Sequence, residues 1–401
     1  MSRAFPAPDS LAVGALLTLL TALGQICTSL YTPSLPSMAA ALGTTAERVN
    51  LTFGVFLIGF AVSQLVYGPL SDRFGRRPVL LAGLVIFLAA SYACTTAQSI
   101  EALIAYRFVQ AVGACAGQTL ARAVVRDVHG AKGAARIYAY IGAALAVSPA
   151  VMPVIGGYLQ KWFDWRAAFL AMTAVAALAL VGSLLALAET NADRDPLATR
   201  PRRLLANYAA LLRSPRYLGY TGSVTFVFAG LMCFAAIAPF VFIKLLGLPP
   251  ERFGMLNVIS VTGFMAGTLL AGRYAARAGI DRMVRLGGLS TVVGAAVMTA
   301  FAAAGVMGIW VIMLPFALYT FGMGFVFPNA MAGAMAPYPR IAGTASAVLG
   351  CIQMGVSALA ATLLGRLTLH SQLPLAVALL VLALMAAGCG WLAGRDQSAG
   401  S

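Results

Sequence analysis

The chain has 401 residues, of which 61% are hydrophobic and only 10% charged. A soluble chain carries about 25% charged residues, so a soluble domain could not coat itself with this composition, and disorder is excluded for the same reason. The formal charge of +15, from 27 Lys+Arg against 12 Asp+Glu, would point to nucleic acid on a soluble protein; on a membrane chain it marks the loops that set orientation, so membrane lipid, not nucleic acid, is the expected partner.

A bilayer-spanning helix needs ~20 apolar residues. Arg3 followed by an apolar run from Leu11 resembles a secretory signal, but the run reaches about Leu30, too long for one. It reads as the first crossing, roughly 11–35. Further apolar segments fall at roughly 51–68, 79–98, 102–122, 136–158 and 166–188. Then comes the one long hydrophilic stretch, Glu189 to Arg216. Six more apolar segments follow, at roughly 218–243, 253–275, 285–304, 309–331, 341–365 and 374–393. Gly and Pro inside them are compatible with membrane helices. The expected fold is an all-α membrane protein with twelve transmembrane helices in two pseudo-symmetric six-helix bundles. Residues 1–188 form the first bundle, 189–216 a cytoplasmic basic linker, and 217–401 the second.

Charge tests this topology. With a cytoplasmic N-terminus, 20 basic residues lie on the cytoplasmic side and six on the other, with Arg107 inside a span. Basic residues concentrate in cytoplasmic loops, so both termini are expected in the cytoplasm. The halves also repeat. Gly68, Arg73 and Gly75, between spans two and three, match Gly272, Arg277 and Gly279, 204 residues later, between spans eight and nine. Such parallel repeats build secondary transporters, with the substrate route between the halves.

Local motifs sharpen this. In GPLSDRFGRRPVL, residues 68–80, Gly68 and Gly75 permit a tight turn. Asp72 can cap the next segment or pair with an arginine, and Arg73, Arg76 and Arg77 hold the loop at the inner face. The string resembles the signature loop of the major facilitator superfamily. Arg107-Phe-Val-Gln110-Ala-Val-Gly113 resembles the R-x-x-Q-x-x-G motif of drug:proton antiporters in that superfamily, which implies a part for Arg107 in proton coupling. An arginine inside a span is functional by default; the alternative is one that snorkels to the outer face. Ser148-Pro149 through Pro153, Gly156 and Gly157 resembles the antiporter motif of exporting branches, with Ser148 in place of the usual glycine. Its prolines remove backbone hydrogen bonds and its glycines admit a close helix, so it reads as a hinge of alternating access or as a structural kink.

Tyr31-Thr-Pro33-Ser-Leu-Pro36, Val125-Arg126-Asp127, Trp165-Arg166-Ala-Ala-Phe169 and Phe327-Pro328-Asn329-Ala330 together resemble the Bcr/CflA group of bacterial efflux transporters. That group usually carries an aspartate where this chain has Ser29. Every acid in the chain maps to a loop or a helix end. A mid-membrane carboxylate ordinarily carries the proton and attracts cationic drugs, so neutral or anionic substrates are expected. Proton coupling is then left to Glu101, Asp72 or Asp127, or to water near Arg107. Arg107, Gln110, Ser29, Tyr31 and Asp127 are the coupling or pathway candidates.

Gln25, Thr28 and Ser29 share one helical face, since i, i+3 and i+4 are neighbours. The stripe faces a cavity or bonds to another helix. Gln118, Asn329 and Gln353 are further lining candidates. Phe226, Phe228 and Phe234 pack on a substrate or face lipid and neighbouring helices. The six cysteines lie in apolar stretches without CxxC, so no metal site or disulfide framework is expected. His129 and His370 make no catalytic pair. No cofactor and no enzymatic activity are expected. The resemblance implies export of small molecules from the bacterial inner membrane by proton antiport, with the chain acting as a monomer. The substrate is a drug or, alternatively, an endogenous product such as a siderophore. Nutrient uptake is the more remote alternative.

Overall fold

The structure is a computed structural model that describes residues 11–191, 194–338, 341–367 and 371–393. Its secondary structure is helical throughout the described residues. In chain order the helices are α1 (Leu11–Ser29), a short 3-10 turn (Thr32–Ser34), α2 (Leu35–Ala41), α3 (Ala46–Phe74), α4 (Arg76–Thr95), α5 (Ile100–Trp162) and α6 (Arg166–Ala186). Then follow α7 (Pro201–Leu212), α8 (Pro215–Pro239, continued as a π-helical turn Phe240–Leu245), α9 (Pro250–Ala278), α10 (Ile280–Ala303), α11 (Ile309–Met335), α12 (Ala342–Gly365) and α13 (Leu373–Ala393).

Eleven of these helices, among the described residues, are long and apolar enough to cross a membrane. They do not hide their apolar residues as a soluble bundle does: Leu269 is 72% exposed and Leu178 62%. Such a continuous apolar exterior is stable only against lipid.

The expected fourth and fifth crossings belong to one helical stretch, α5. A straight helix would separate Arg107 from Gly156 by about 74 Å. Yet Arg107 bonds the carbonyl of Cys27, and a Cβ on Gly156 would strike the carbonyl of Leu30. Both ends of α5 therefore reach the same end of α1, and the stretch doubles back between them. The twelve-crossing count stands; the expected loop near residue 130 is replaced by helix that reverses.

Two further boundaries differ. Gly68 and Pro69 lie inside α3, which runs on to Phe74. With nothing within 4 Å of a Cβ at Gly68, that glycine makes no turn. The turn is Gly75 alone, at φ 104°, a region L side chains avoid. Its repeat partner Gly279, at φ 80°, joins α9 to α10 in the same way, so the repeat read from sequence is present in the backbone. The hydrophilic linker also holds a helix of its own, α7. Leu204, Asn207, Tyr208 and Leu211 face inward at i, i+3, i+4 and i+7, with Leu211 fully buried. The Tyr208 hydroxyl donates to the carbonyl of Leu65 (3.4 Å), and burial pushes its pKa upward, so it stays a neutral donor.

Ion pairs in both bundles join groups that the odd–even count of crossings puts on one face. Arg48–Glu101 (2.7 Å), Lys161–Glu251 (2.7 Å) and Arg366–Glu47 (3.8 Å) lie on the arginine-poor face. Arg76 pairs with Asp72 and Asp127 on the arginine-rich face. Arg3, Arg340 and Arg395 lie outside the described residues.

The first bundle meets the second along two seams, α3 against α12 and α5 against α9. At the arginine-poor end of these seams the helices touch closely. A Cβ on Gly157 would lie 2.6 Å from the Pro250 carbonyl, and one on Gly254 would strike that of Pro153. Small residues let helix backbones approach this way in membranes.

Candidate functional site

Between the bundles lies a cavity of about 480 Å³. The first bundle contributes most of its polar wall. Gln25, Thr28 and Ser29 line it, as one face of α1 should, joined by Gln64 and Gln118. Gln25 donates to the Ser29 hydroxyl (3.2 Å), so the position that usually carries an acid holds a neutral hydrogen-bonded pair. Pro149 and Pro153 also line the cavity. Each removes a backbone donor from α5, so this helix is weakened where it borders the cavity.

The second bundle supplies an aromatic wall. Phe234 stacks on Phe316 with centroids 3.5 Å apart. Phe228 and Phe264 flank Phe327 at 6.2 and 6.4 Å. Of the three phenylalanines expected in α8, Phe228 and Phe234 line the cavity and Phe226 does not. Gln353 lines it as expected, and its buried Nε2 has no hydrogen-bond partner. Asn329 does not line it. Its side chain turns back to the carbonyl of Phe325 (2.8 Å) on its own helix, because the kink-prone Pro328 region presents Phe327 and Met331 to the cavity instead. Arg122 was missed by sequence reading, and it is the one charged side chain among the described lining residues.

Arg107 is fully buried and lies behind the wall, outside the cavity lining. It does not snorkel. Its guanidinium sits over the rings of Tyr31 (4.3 Å), Phe56 (4.3 Å) and Phe169 (5.7 Å). Nη1 donates to Gln110 (2.5 Å) and Nη2 to the Cys27 carbonyl (3.1 Å). Gln110 in turn donates to Ser91 (2.8 Å). Ring faces and carbonyl-type oxygens stand where a carboxylate would be, and no carboxylate among the described residues pairs with Arg107. Tyr31 and Gln110, expected on the pathway, belong to this box and not to the cavity, because Tyr31 lies past the end of α1 and turns toward α6. The cation reaches the cavity only through Phe56, whose ring it covers and which lines the wall.

The third cluster is the signature turn. Arg76 donates to Asp127 (2.9 Å), to Asp72 and to the Ser71 hydroxyl (2.6 Å), tying α3 to α5. Of the two roles open to Asp72, the structure shows pairing. The linker then straps over the turn. Glu189 accepts from the backbone N–H groups of Arg76 (2.9 Å) and Arg77 (3.2 Å), capping α4, whose N-terminal dipole favours an anion. Asn191 donates to the carbonyls of Ser71 (3.3 Å) and Asp72 (3.0 Å), and Arg73 to Thr199 (2.7 Å). Arg77 donates to the Leu184 carbonyl (3.2 Å). At Gly279, the repeat position, nothing lies within 4 Å of a Cβ, so the strap breaks the symmetry of the halves. Glu189→Ala is expected to remove the cap and lower stability by about 1 kcal/mol, read as a lower melting temperature, with Glu189→Asp recovering little because its carboxylate falls short.

The family model described as the Major Facilitator Superfamily matches residues 17–362. The chain belongs to this superfamily. It is 31% identical to multidrug resistance protein D of Escherichia coli, covering 94% of each chain. It is 27% identical to a bicyclomycin resistance protein homolog of Haemophilus influenzae, covering 90% of each. It is 30% identical to a chloramphenicol resistance protein of Pseudomonas aeruginosa, over 83% of this chain and 78% of that one. Among solved structures, a D-xylose–proton symporter superposes with a TM-score of 0.78 at 17% identity, covering 96% of this chain and 97% of that one. An inward-facing bacterial homolog of the human lysosomal transporter Spinster does so at 0.75 and 16%, covering 97% and 98%. At such identities the structural likeness establishes the fold of the superfamily. Membership marks a transporter in place of a catalyst, and a multi-pass membrane protein.

Proposed function

We propose that this protein is an efflux transporter of the bacterial inner membrane that exports small molecules, antibiotics among them, in exchange for protons. The observation that carries the reading is the cavity. It lies between the two bundles and mixes glutamines with phenylalanines, as a site for amphiphilic molecules of varied shape would. The resistance proteins named among its relatives support export over uptake. The 20-to-6 split of basic residues supports cytoplasmic termini, which makes the arginine-rich face cytoplasmic. The cavity then reaches Arg122 and Met331 on the cytoplasmic side, while the glycine contacts of α5 and α9 close it to the outside.

In this reading the chain is caught open to the cytoplasm. Substrate enters past Arg122 and settles against Phe228 and Phe327. The bundles then rock about their seams, with Pro149 and Pro153 letting α5 bend. Asp72 and Asp127 are the carboxylates that tie α3 to α5 through Arg76. A proton on either weakens its hold on Arg76 and loosens α3 from α5. Asp127→Asn is therefore expected to leave substrate binding unchanged and to flatten the dependence of transport on an imposed pH gradient. The hydrogen bond to a charged group that it weakens is worth about 1.5–3 kcal/mol.

Export is tested in cells stripped of their own efflux pumps. Expression of the protein should lower the accumulation of chloramphenicol, and an uncoupler should abolish the difference. Equal accumulation with and without the protein, across a panel of neutral and acidic antibiotics, would remove the drug-efflux reading. A compound that builds up in a deletion strain and fades from its medium would shift the reading to export of a cell product such as a siderophore. Unchanged efflux after collapse of the proton gradient would remove antiport.

A further inference from the structure

We propose that Asn50 loads the α3–α12 seam toward opening on the arginine-poor face, its buried amide being unfavourable only while that face is shut. It acts on the balance between the two states of a transporter, whatever is carried.

Burial comes first. Asn50 is 2% exposed, and neither its Nδ2 nor its Oδ1 has a hydrogen-bond partner. It is the one side-chain amide among the described residues with both polar atoms in that condition. A donor and an acceptor are both stripped of water with nothing in exchange, which is unfavourable in surroundings of low dielectric. Other asparagines of the spanning helices avoid this. Asn257 donates to the carbonyl of Phe253 (3.3 Å) and Asn329 to that of Phe325 (2.8 Å), each four residues back on its own helix. Nor does Asn50 cap α3. That place belongs to Thr45, whose hydroxyl accepts from the backbone N–H of Arg48 (3.3 Å).

The cover over this amide comes from the opposite bundle. A Cβ on Gly365, the last residue of α12, would lie 3.1 Å from the Asn50 Cβ and 3.3 Å from its Nδ2. The backbone of α12 therefore lies flat against the side chain. The next residue, Arg366, pairs with Glu47, three residues before Asn50, at 3.8 Å, with both side chains largely exposed. An exposed pair of that kind contributes little. On this face the seam is held by close helix packing and a loose ion pair, against an orphaned amide. When α12 withdraws, the amide meets water and the penalty is gone. A group satisfied in one state and not in the other shifts the equilibrium by that difference. A polar defect inside either bundle would lack this dependence on state, because its neighbours would move with it.

The test uses Leu57→Cys as a reporter. Leu57 lies seven residues along α3 from Asn50, on the same face. It lines the cavity and is 1% exposed. A membrane-impermeant maleimide reaches this thiol from the arginine-rich side through the cavity, and from the arginine-poor side only when that face has parted. The full chain is labelled in right-side-out and in inside-out membrane vesicles, with the chain lacking Leu57→Cys as the blank for native thiols. Asn50→Leu keeps the branching and nearly the volume while removing the polar atoms. It should slow labelling from the arginine-poor side at least about tenfold, keep labelling from the other side within about twofold, and raise the melting temperature. Asn50→Thr should slow it by a smaller factor, since a threonine hydroxyl bonds the carbonyl four residues back, as Thr268 does (2.9 Å). A merely structural role for Asn50 predicts the reverse, with both variants melting lower and labelling at the wild-type rate. The proposal is overturned if Asn50→Leu labels from the arginine-poor side within about twofold of wild type or faster, or if the wild-type background is never labelled from that side. Should the leucine variant not be recovered folded, Asn50→Thr decides, and a rate unchanged or raised overturns the proposal.

Discussion

Arg107→Ala is expected to abolish transport and to destabilise the protein by about 3–5 kcal/mol. The guanidinium lies over three rings, and a desolvated cation–π contact is worth ~2 kcal/mol or more. Its removal also strips Gln110 Oε1 of its donor, and a buried orphaned acceptor costs about 1–3 kcal/mol. The melting temperature in detergent would show the loss. Arg107→Lys should recover little. One ammonium cannot serve Gln110 and the Cys27 carbonyl as the two arms of the fork do, at 2.5 and 3.1 Å.

Arg107→Met separates structure from chemistry. Methionine fills most of the volume and makes favourable sulfur–aromatic contacts, so this variant should fold. If the charge is used in coupling, transport driven by an imposed pH gradient should fall at least about tenfold, a free energy of about 1.4 kcal/mol, while substrate binding persists. Wild-type transport by Arg107→Met would show that the box is structural and that the proton route runs elsewhere.

The sequence reveals most where a single helix carries the information. The polar stripe of Gln25, Thr28 and Ser29 follows from the 3.6-residue period, and it lines the cavity as that period requires. The repeat at Gly75 and Gly279 is legible because a positive-φ turn demands glycine twice. The sequence reveals least where the partner is remote. Glu189 caps α4 from 113 residues away, and no spacing rule connects a linker acid to a distant helix start. The box around Arg107 draws Phe56 and Phe169 from two helices and Tyr31 from the turn after a third, so a residue that looks like pathway from its chemistry is sealed behind it. Asn329 fails for a related reason. Its polarity suggests the cavity, but a polar side chain in a membrane helix can also satisfy itself on its own backbone. Arg122 is one of the 20 basic residues on the arginine-rich side, and sequence alone does not tell a loop-edge arginine from one on a wall.

The seams carry the second large expectation. Gly54 on α3 faces Thr362 on α12 near the arginine-poor end, and a Cβ placed on Gly54 would lie 3.6 Å from the Thr362 Cβ. Disulfides join Cβ atoms about 3.5–4.5 Å apart, so Gly54→Cys with Thr362→Cys should cross-link under mild oxidation. The bridge pins the two bundles together on one face only. If transport requires that face to part, the oxidised double variant should lose essentially all transport and regain it with a reductant, while each single variant stays active under both conditions. Binding of substrate from the arginine-rich side should survive the bridge, because the cavity wall from Arg122 to Phe228 is untouched by it. The native cysteines do not confuse the result: Cys27, Cys94, Cys115 and Cys233 are buried, and Cys351 and Cys389 stand as free thiols, so the single variants report any reaction of their own. Full transport by the cross-linked protein would mean that the α3–α12 contact is a fixed joint. The opening motion would then have to occur at the α5–α9 seam alone, where Lys161–Glu251 is the only ion pair to break among the described residues.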